Sequence, residues 1–270
     1  MSGADLARPI LLVGCGKMGG ALLAGWRERR IAPSFLVVEP AAPVAAAPDV
    51  SLHKGPASLP SGPVAAIVLA VKPQSMDEVL PAYRGYAERG TLFLSIAAGK
   101  TLSAIARGLG VPAPIVRAMP NTPAAIGRGI AVAVANGQVD ATQKALADRL
   151  LAAVGEVGWV AEEALLDAVT AVSGSGPAYV FLLIETLADA GVAAGLPREL
   201  ADRLARATVA GSGELARLSP EPAARLREAV TSPGGTTRAA LDVLMAKNGL
   251  AALMKRAIAA ATKRSRELAD

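Results

Sequence analysis

The 270-residue sequence has one cysteine, Cys15, and one histidine, His53. A lone cysteine forms no internal disulfide, and one Cys with one His assembles no metal cluster, so no metal is expected and the chemistry must come from other groups. Aromatic residues make up only 3%. The core must therefore be built from Ala, Val, Leu and Ile, and no stacking platform is at hand for nucleic acid. No uncharged apolar stretch is long enough to span a bilayer without a Gly or Pro break. No N-terminal segment pairs basic residues with an apolar run and a cleavage site. The expectation is a soluble, cytoplasmic protein without nucleic-acid or membrane partners.

What is present is a globular composition, 52% hydrophobic and 19% charged, with a net charge of +5. That charge suits an anionic small ligand. Basic residues are scattered except for Lys263-Arg264-Ser265-Arg266, which reads as the solvated face of a last helix. The length allows two domains, each with its own core.

Pro9 to Val13 is an apolar run followed by Gly14-Cys15-Gly16-Lys17-Met18-Gly19 and then Ala21-Leu22-Leu23 on a helical period. Strand, G-x-G-x-x-G turn and helix form the context that the dinucleotide fingerprint requires. Cys15 reads as a small filler, since nothing in its neighbourhood supplies a base. Glu39 ends the next apolar run, where an acid would bind the adenosine ribose; the alternative is that it faces solvent. A 2′-phosphate about 4 Å from this carboxylate would be opposed by roughly 4 kcal/mol at an effective dielectric of about 20. Pro40 to Pro48 contains no Arg or Lys to clamp it, so the sequence leans towards NADH over NADPH.

After a Pro- and Ala-rich connection containing His53, Val64 to Val71 and Thr91 to Ile96 read as buried strands, and Ile115 and Val116 lie in another. A short helix is expected over Thr101 to Arg107, and Gly129 to Asn136, a helix over Asp140 to Val154 and a strand over Glu156 to Val160 complete this domain. Strands alternating with helices imply a parallel, doubly wound sheet, whose ligands sit at the carboxyl ends of the strands. The candidate loops there are Gly14 to Gly19, Ala70-Val71-Lys72-Pro73-Gln74, Ala97-Ala98-Gly99 and Arg117 to Pro123. Lys72 could lie beside the nicotinamide ribose or be a surface lysine. Asn121 could face the nicotinamide or substrate, or simply form a turn.

Beyond Glu162 the pattern is helical, with breaks at Ser173-Gly174-Ser175-Gly176-Pro177, Gly195-Leu196-Pro197, Ser219-Pro220 and Ser232 to Gly235. Ala178 to Ala190 is apolar enough to be buried nearly all round. The expected division is 1–162, a dinucleotide-binding domain, and 163–270, an all-α domain that pairs with a second subunit. Within it, Ser232-Pro233-Gly234-Gly235-Thr236-Thr237 precedes a helical period and reads as a glycine-rich helix start, whose N–H groups and dipole suit a carboxylate. An ordinary capped turn uses the same residues. Ser175 could bond the substrate, although capping the helix that begins at Pro177 is the simpler role.

Five segments together resemble the pyrroline-5-carboxylate reductase family: Gly14 to Gly19, Ala70 to Gln74, Arg117 to Pro123, Ser173-Gly174-Ser175-Gly176-Pro177-Ala178-Tyr179, and Val230 to Thr237. The last two together are highly specific. The resemblance implies an α/β fold with an N-terminal Rossmann-type doubly wound sheet and an all-α dimerisation domain that interlocks in a homodimer, often assembled further into a homodecamer. It implies reduction of L-1-pyrroline-5-carboxylate by NADPH or NADH, the last step of proline biosynthesis. It places the Thr237 hydroxyl at the ring nitrogen; the residues' own chemistry puts the N–H groups of Gly234, Gly235, Thr236 and Thr237 and the Ser232 hydroxyl at the substrate carboxylate, with Ser175 and Asn121 as further candidates. Cofactor contacts fall on Gly14, Gly16, Lys17, Met18, Gly19, Glu39, Ala70, Val71, Lys72, Pro73, Ala97 and Asn121. Many relatives carry a small or polar residue where this chain has Glu39.

Two other readings remain. A β-hydroxyacid dehydrogenase or imine reductase would carry a K-x-x-x-N pattern on its interdomain helix; none follows Ser173, and Lys247-Asn248 are adjacent. A non-catalytic dinucleotide sensor would bind the cofactor without turnover.

Overall fold

The computed structural model describes residues 8–41 and 47–268. Part of the Pro40 to Pro48 connection, residues 42–46, lies outside the described residues. The strands are β1 (Ile10–Val13), β2 (Phe35–Val38), β3 (Val50–His53), β4 (Ala66–Leu69), β5 (Leu92–Ser95), β6 (Ile115–Met119), β7 (Gly129–Ala135) and β8 (Gly155–Trp159). They form one sheet in the order β3-β2-β1-β4-β5-β6-β7-β8. Helices α1 (Lys17–Glu28), α2 (Met76–Val79), α3 (Arg84–Ala87), α4 (Leu102–Leu109) and α5 (Ala141–Ala152) connect or flank the strands. The order reverses between β1 and β4, so a crevice opens at their carboxyl ends.

Alternation along β1 shows how the core is divided. Ile10 and Leu12 face α1 and α5 with Trp26 and Leu150. Leu11 and Val13 face the other layer with Met76, Leu80, Tyr83 and Ile105. Trp26 stacks on Phe35 with centroids 6.0 Å apart, and its indole N–H donates to the Leu150 carbonyl at 2.8 Å. The buried indole is thereby satisfied. Helix starts follow side-chain chemistry. Thr101 accepts from the Ala104 amide at 3.1 Å to cap α4, and Asp140 with Gln143 forms a capping box on α5.

The sheet departs from the expected pattern in two places. Val50–His53 forms an edge strand paired parallel with β2 where only a connection was expected. β7 runs antiparallel to β6 although it pairs parallel with β8. The link from Met119 to Gly129 holds only the 3₁₀ turn Thr122–Ile126. A parallel return needs a longer crossover than that.

The remaining helices are α6 (Leu165–Val169), α7 (Gly176–Ala193), α8 (Arg198–Leu218), α9 (Ala223–Ala229), α10 (Thr236–Leu244) and α11 (Leu250–Glu267). By packing, the chain divides into Met1–Gly174 with Thr262–Asp270, and Ser175–Ala261. The change of pattern at residue 163 is one of sequence, because 163–174 pack with the first unit. In that unit Ser265 donates to Asp167 at 2.7 Å.

Ser173 to Pro177 is not the break that its composition suggests. Thr170–Gly174 forms a π-helical turn, in which Thr170 and Ser173 donate to the Leu166 and Val169 carbonyls at 2.7 and 3.1 Å. These hydroxyls bond carbonyls four residues earlier, a pattern found where a helix is locally distorted, as in this π-helical turn. Through this turn Leu165–Ala193 counts as one 29-residue helical run, long and apolar enough by length and composition to cross a membrane. In the second unit α7 and α8 form a hairpin through Gly195, at φ +101°, with Gly191 against Ala201 and Leu196. In the single chain α7 carries exposed apolar side chains, the surface that the sequence expects a second subunit to cover. Phe181, Leu182 and Leu183 are 58%, 56% and 51% exposed in the single chain.

Candidate functional site

Two separate assemblies carry the predicted residues, one in each unit. In the first, a cleft of ≈ 590 Å³ lies at the carboxyl ends of β1, β2 and β4, lined by Gly14, Gly16, Glu39, Ala70, Val71 and Lys72 among others.

The three fingerprint glycines serve different ends. Gly14 adopts φ +89°, and a Cβ there would meet the Ala70 carbonyl carbon at 2.8 Å. A Cβ on Gly19 would meet the Gly14 carbonyl oxygen and lie 3.2 Å from the Ala70 side chain. These two positions are glycine because the turn, α1 and the β4 exit pack backbone to backbone. At Gly16 a Cβ would meet no heavy atom within 4 Å. Its bareness leaves open space in front of the start of α1, where a pyrophosphate fits against backbone N–H groups.

Glu39 is 9% exposed, and both its oxygens accept from backbone. Oε2 takes the Cys15 N–H at 2.7 Å and Oε1 the Ala41 N–H at 3.0 Å. The carboxylate therefore faces the fingerprint turn rather than solvent, and its charge stays at the head of the cleft. The Cys15 thiol is pushed above its usual pKa by burial first and by the Glu39 carboxylate second, which lowers its thiolate fraction.

Lys17 is exposed at the first position of α1, whereas Met18 packs partly into the core. Lys72 precedes the 3₁₀ turn Pro73–Ser75, with its carbonyl accepting from the Ser75 N–H at 3.0 Å. Ala97 is buried and packs among the core side chains, so only its backbone can meet a ligand. The Asn121 Oδ1 accepts from the Ile130 N–H at 2.9 Å, which ties the loop after β6 to the start of β7. Arg117 lies within β6, not in a loop. It is 4% exposed and donates to Glu163 Oε1 at 2.7 Å, and the same oxygen accepts from the Leu102 N–H.

Sequence reasoning missed Lys54. The register of β2 with β3 pairs Val38 with His53, so Lys54 arrives beside Glu39 and lines the same cleft. Its ammonium lies 3.4 Å from the Pro40 carbonyl. The absence of basic residues from Pro40 to Pro48 thus does not leave this end of the cleft without a cation. The missed signal was a strand, Val50–His53, too short and too exposed to stand out.

The second assembly is the helix start at Ser232 to Thr237. Gly234 adopts φ +69° and the Gly235 N–H donates to the Ser232 carbonyl at 3.1 Å, the arrangement that Pro-Gly at the centre of a turn favours. Gly235 then sits extended as the N-cap of α10, with no side-chain cap on the helix. The Gly235 N–H is therefore engaged within the turn. The amides that lack intrahelical partners are those of Thr236, Thr237 and Arg238. The Ser232 hydroxyl sits over Gly235, close enough to clash with a Cβ there. Thr237 is half-buried and Ser232 exposed.

Ser175 does not cap α7. Following a π-helical turn, its backbone is already helical at φ −86° and ψ −21°, a geometry that makes no side-chain cap bond.

Comparison with known proteins converges on one family. A family model for pyrroline-5-carboxylate reductase dimerisation matches residues 163–268. The pyrroline-5-carboxylate reductase of Pseudomonas aeruginosa is 42% identical over 268 residues, which cover 97% of this chain and 97% of that protein. A pyrroline-5-carboxylate reductase structure from Coxiella burnetii matches with a TM-score of 0.89 and 34% identity, over 98% of this chain and 99% of that one. The Plasmodium falciparum pyrroline carboxylate reductase, solved with NADP bound, matches with a TM-score of 0.83 and 31% identity, over 98% and 99%. The chain belongs to the pyrroline-5-carboxylate reductase family.

Proposed function

We propose that this protein reduces L-1-pyrroline-5-carboxylate to L-proline with a nicotinamide dinucleotide, and that Thr237 and the start of α10 hold the substrate. The observation that carries the cofactor half is the division of labour among Gly14, Gly16 and Gly19: two positions filled by neighbouring backbone or side chain and one left open. A dinucleotide seated there, with Gly16 and Lys17 at its pyrophosphate and Glu39 at its ribose, supplies a hydride for the C=N carbon.

The chain's own residues then have two tasks. The first is to hold a carboxylate without a cationic anchor. Amides of Thr236 and Thr237, with the Ser232 hydroxyl, can do this at the positive end of α10. Charge-assisted hydrogen bonds contribute roughly 1.5 to 3 kcal/mol each, and a helix end adds about 0.3 to 1. The second task is proton handling at the ring nitrogen, which becomes a secondary amine as hydride reaches the adjacent carbon. The Thr237 hydroxyl is suited to orient that nitrogen and to relay a proton to it. Gly234 at φ +69° shapes the turn in front of both groups.

Glu39 favours NADH, whose ribose hydroxyls it can accept from, over NADPH. The exposed apolar face of α7 supports a homodimer as the minimal unit, because Phe181, Leu182 and Leu183 would otherwise face water. Steady-state oxidation of NADH and NADPH with and without the imine tests the reading. Oxidation that requires the imine is expected; cofactor binding without turnover would indicate a sensor instead.

A further inference from the structure

Two opposite charges each hold one of two adjacent backbone groups at the head of the cleft. Glu39 Oε1 accepts from the Ala41 N–H at 3.0 Å, and Lys54 Nζ donates to the Pro40 carbonyl at 3.4 Å. Both side chains line the cleft that also holds Gly14 and Gly16. Their mobility differs: Glu39 is nearly buried and tied to two amides, whereas Lys54 is exposed on a flexible stem with a long bond to one carbonyl.

We propose that Lys54 is the residue through which this chain accepts a phosphate on the adenosine 2′-position, offsetting Glu39. The proposal rests on the reading of this cleft as the dinucleotide site. With a free ribose hydroxyl, Glu39 accepts the hydrogen bond and Lys54 stays on Pro40. With a 2′-phosphate, the ammonium can exchange its carbonyl for the phosphate oxygens, a shorter and charge-assisted partner. Placement singles out Lys54. Residues 40–48 contribute no basic side chain, and Lys72, the other lysine lining the cleft, follows β4 on the far side of β1. Glu39 then sets a preference for NADH, and the affinity for NADPH that this chain retains depends on Lys54.

The test is calorimetric titration of the intact oligomer, wild type and Lys54→Met, with NADPH and with NADH at two salt concentrations. Lys54→Met should weaken NADPH about tenfold, the scale of one charge-assisted hydrogen bond near the surface, while NADH stays within about twofold. The loss should shrink as salt rises, because the contact is exposed. Equal weakening of both cofactors, or none for NADPH, overturns the assignment. If the wild type binds neither cofactor, the dinucleotide reading of the cleft fails first and the proposal falls with it.

Discussion

The Glu39 carboxylate accepts the Cys15 amide at 2.7 Å, joining the end of β2 to the middle of the fingerprint turn. The same contact that shapes the turn thus fixes a negative charge where the adenosine ribose would lie. Glu39→Gln is nearly the same size and removes the charge, but its amide can accept from only one of the Cys15 and Ala41 N–H groups that the carboxylate now takes. The expected result is a rise of at least about fivefold in the ratio of kcat/KM for NADPH over NADH, since unit charges about 4 Å apart interact by roughly 1 kcal/mol even in bulk water. A stability loss of about 1 to 3 kcal/mol should accompany it, because a charged acceptor becomes neutral and one backbone N–H loses its acceptor. Initial rates with both cofactors and a urea melt check the two halves, and an unchanged ratio would remove Glu39 from cofactor choice.

Gly16 and Gly19 should separate binding from folding. At Gly19 a Cβ meets the Gly14 carbonyl, so Gly19→Ala is expected to destabilise the protein by about 1 to 3 kcal/mol through overpacking. At Gly16 a Cβ meets nothing, so Gly16→Ala should melt within about 0.5 kcal/mol of the wild type yet bind NADH at least about tenfold more weakly. Thermal denaturation and cofactor titration on both variants decide it. Equal stability losses would mean that the open space at Gly16 has no functional meaning.

Thr237→Ala should lower kcat by about 10²- to 10⁴-fold while the dissociation constant of NADH stays unchanged, and Thr237→Ser should recover much of the loss. This pattern distinguishes a hydroxyl at the reacting nitrogen from a helix-start residue bonded only to backbone. In the latter case alanine would cost stability and leave kcat in place.

The Cys15 thiol offers a test of the apo cleft. Because burial and then Glu39 raise its pKa, the thiolate fraction at a given pH is lower than for an unperturbed cysteine. At pH 8 its alkylation by iodoacetamide should be slower than that of a free thiol, and it should accelerate as pH rises through the elevated pKa. Glu39→Gln removes the second cause and should speed the reaction at fixed pH. Alkylation as fast as that of glutathione would contradict the described environment.

Much of this was legible in the sequence because local signals agreed with one another. Gly14 to Gly19 stood between an apolar run and a helical period, and the Ser232 to Thr237 stretch preceded a clear helix. What escaped depended on contacts that no local pattern encodes. Val50–His53 has only four residues, of which Ser51 and Leu52 are exposed, so its pairing with β2 adds the signal that its composition lacks. Lys54 inherits that blindness, being a loop lysine until register sets it beside Glu39. Gly174 and Pro177 looked like a break because their propensities are poor helix signals. The chain instead continues through a π-helical turn over Thr170–Gly174, with the Thr170 and Ser173 hydroxyls on preceding carbonyls. The antiparallel β7 was readable in principle from the shortness of its connection to β6.

The apolar surface of α7 gives the last prediction. Phe181 is 58% exposed and lies beside Leu182 and Leu183, which are 56% and 51% exposed. Three consecutive large apolar residues point in different directions around a helix, so a partner that covers them must wrap around α7 rather than rest on one side of it. Burying a Phe side chain contributes roughly 1.5 to 3 kcal/mol, and a carboxylate in its place adds the cost of an unpaired charge in the interface. Phe181→Glu is therefore expected to yield a smaller species by light-scattering mass, with the sheet domain still folded and still able to bind NADH. A variant with the mass of the wild type would show that α7 lies outside the subunit interface. If the smaller species binds cofactor but does not turn over, assembly is required for the substrate half of the site and not for the cofactor half.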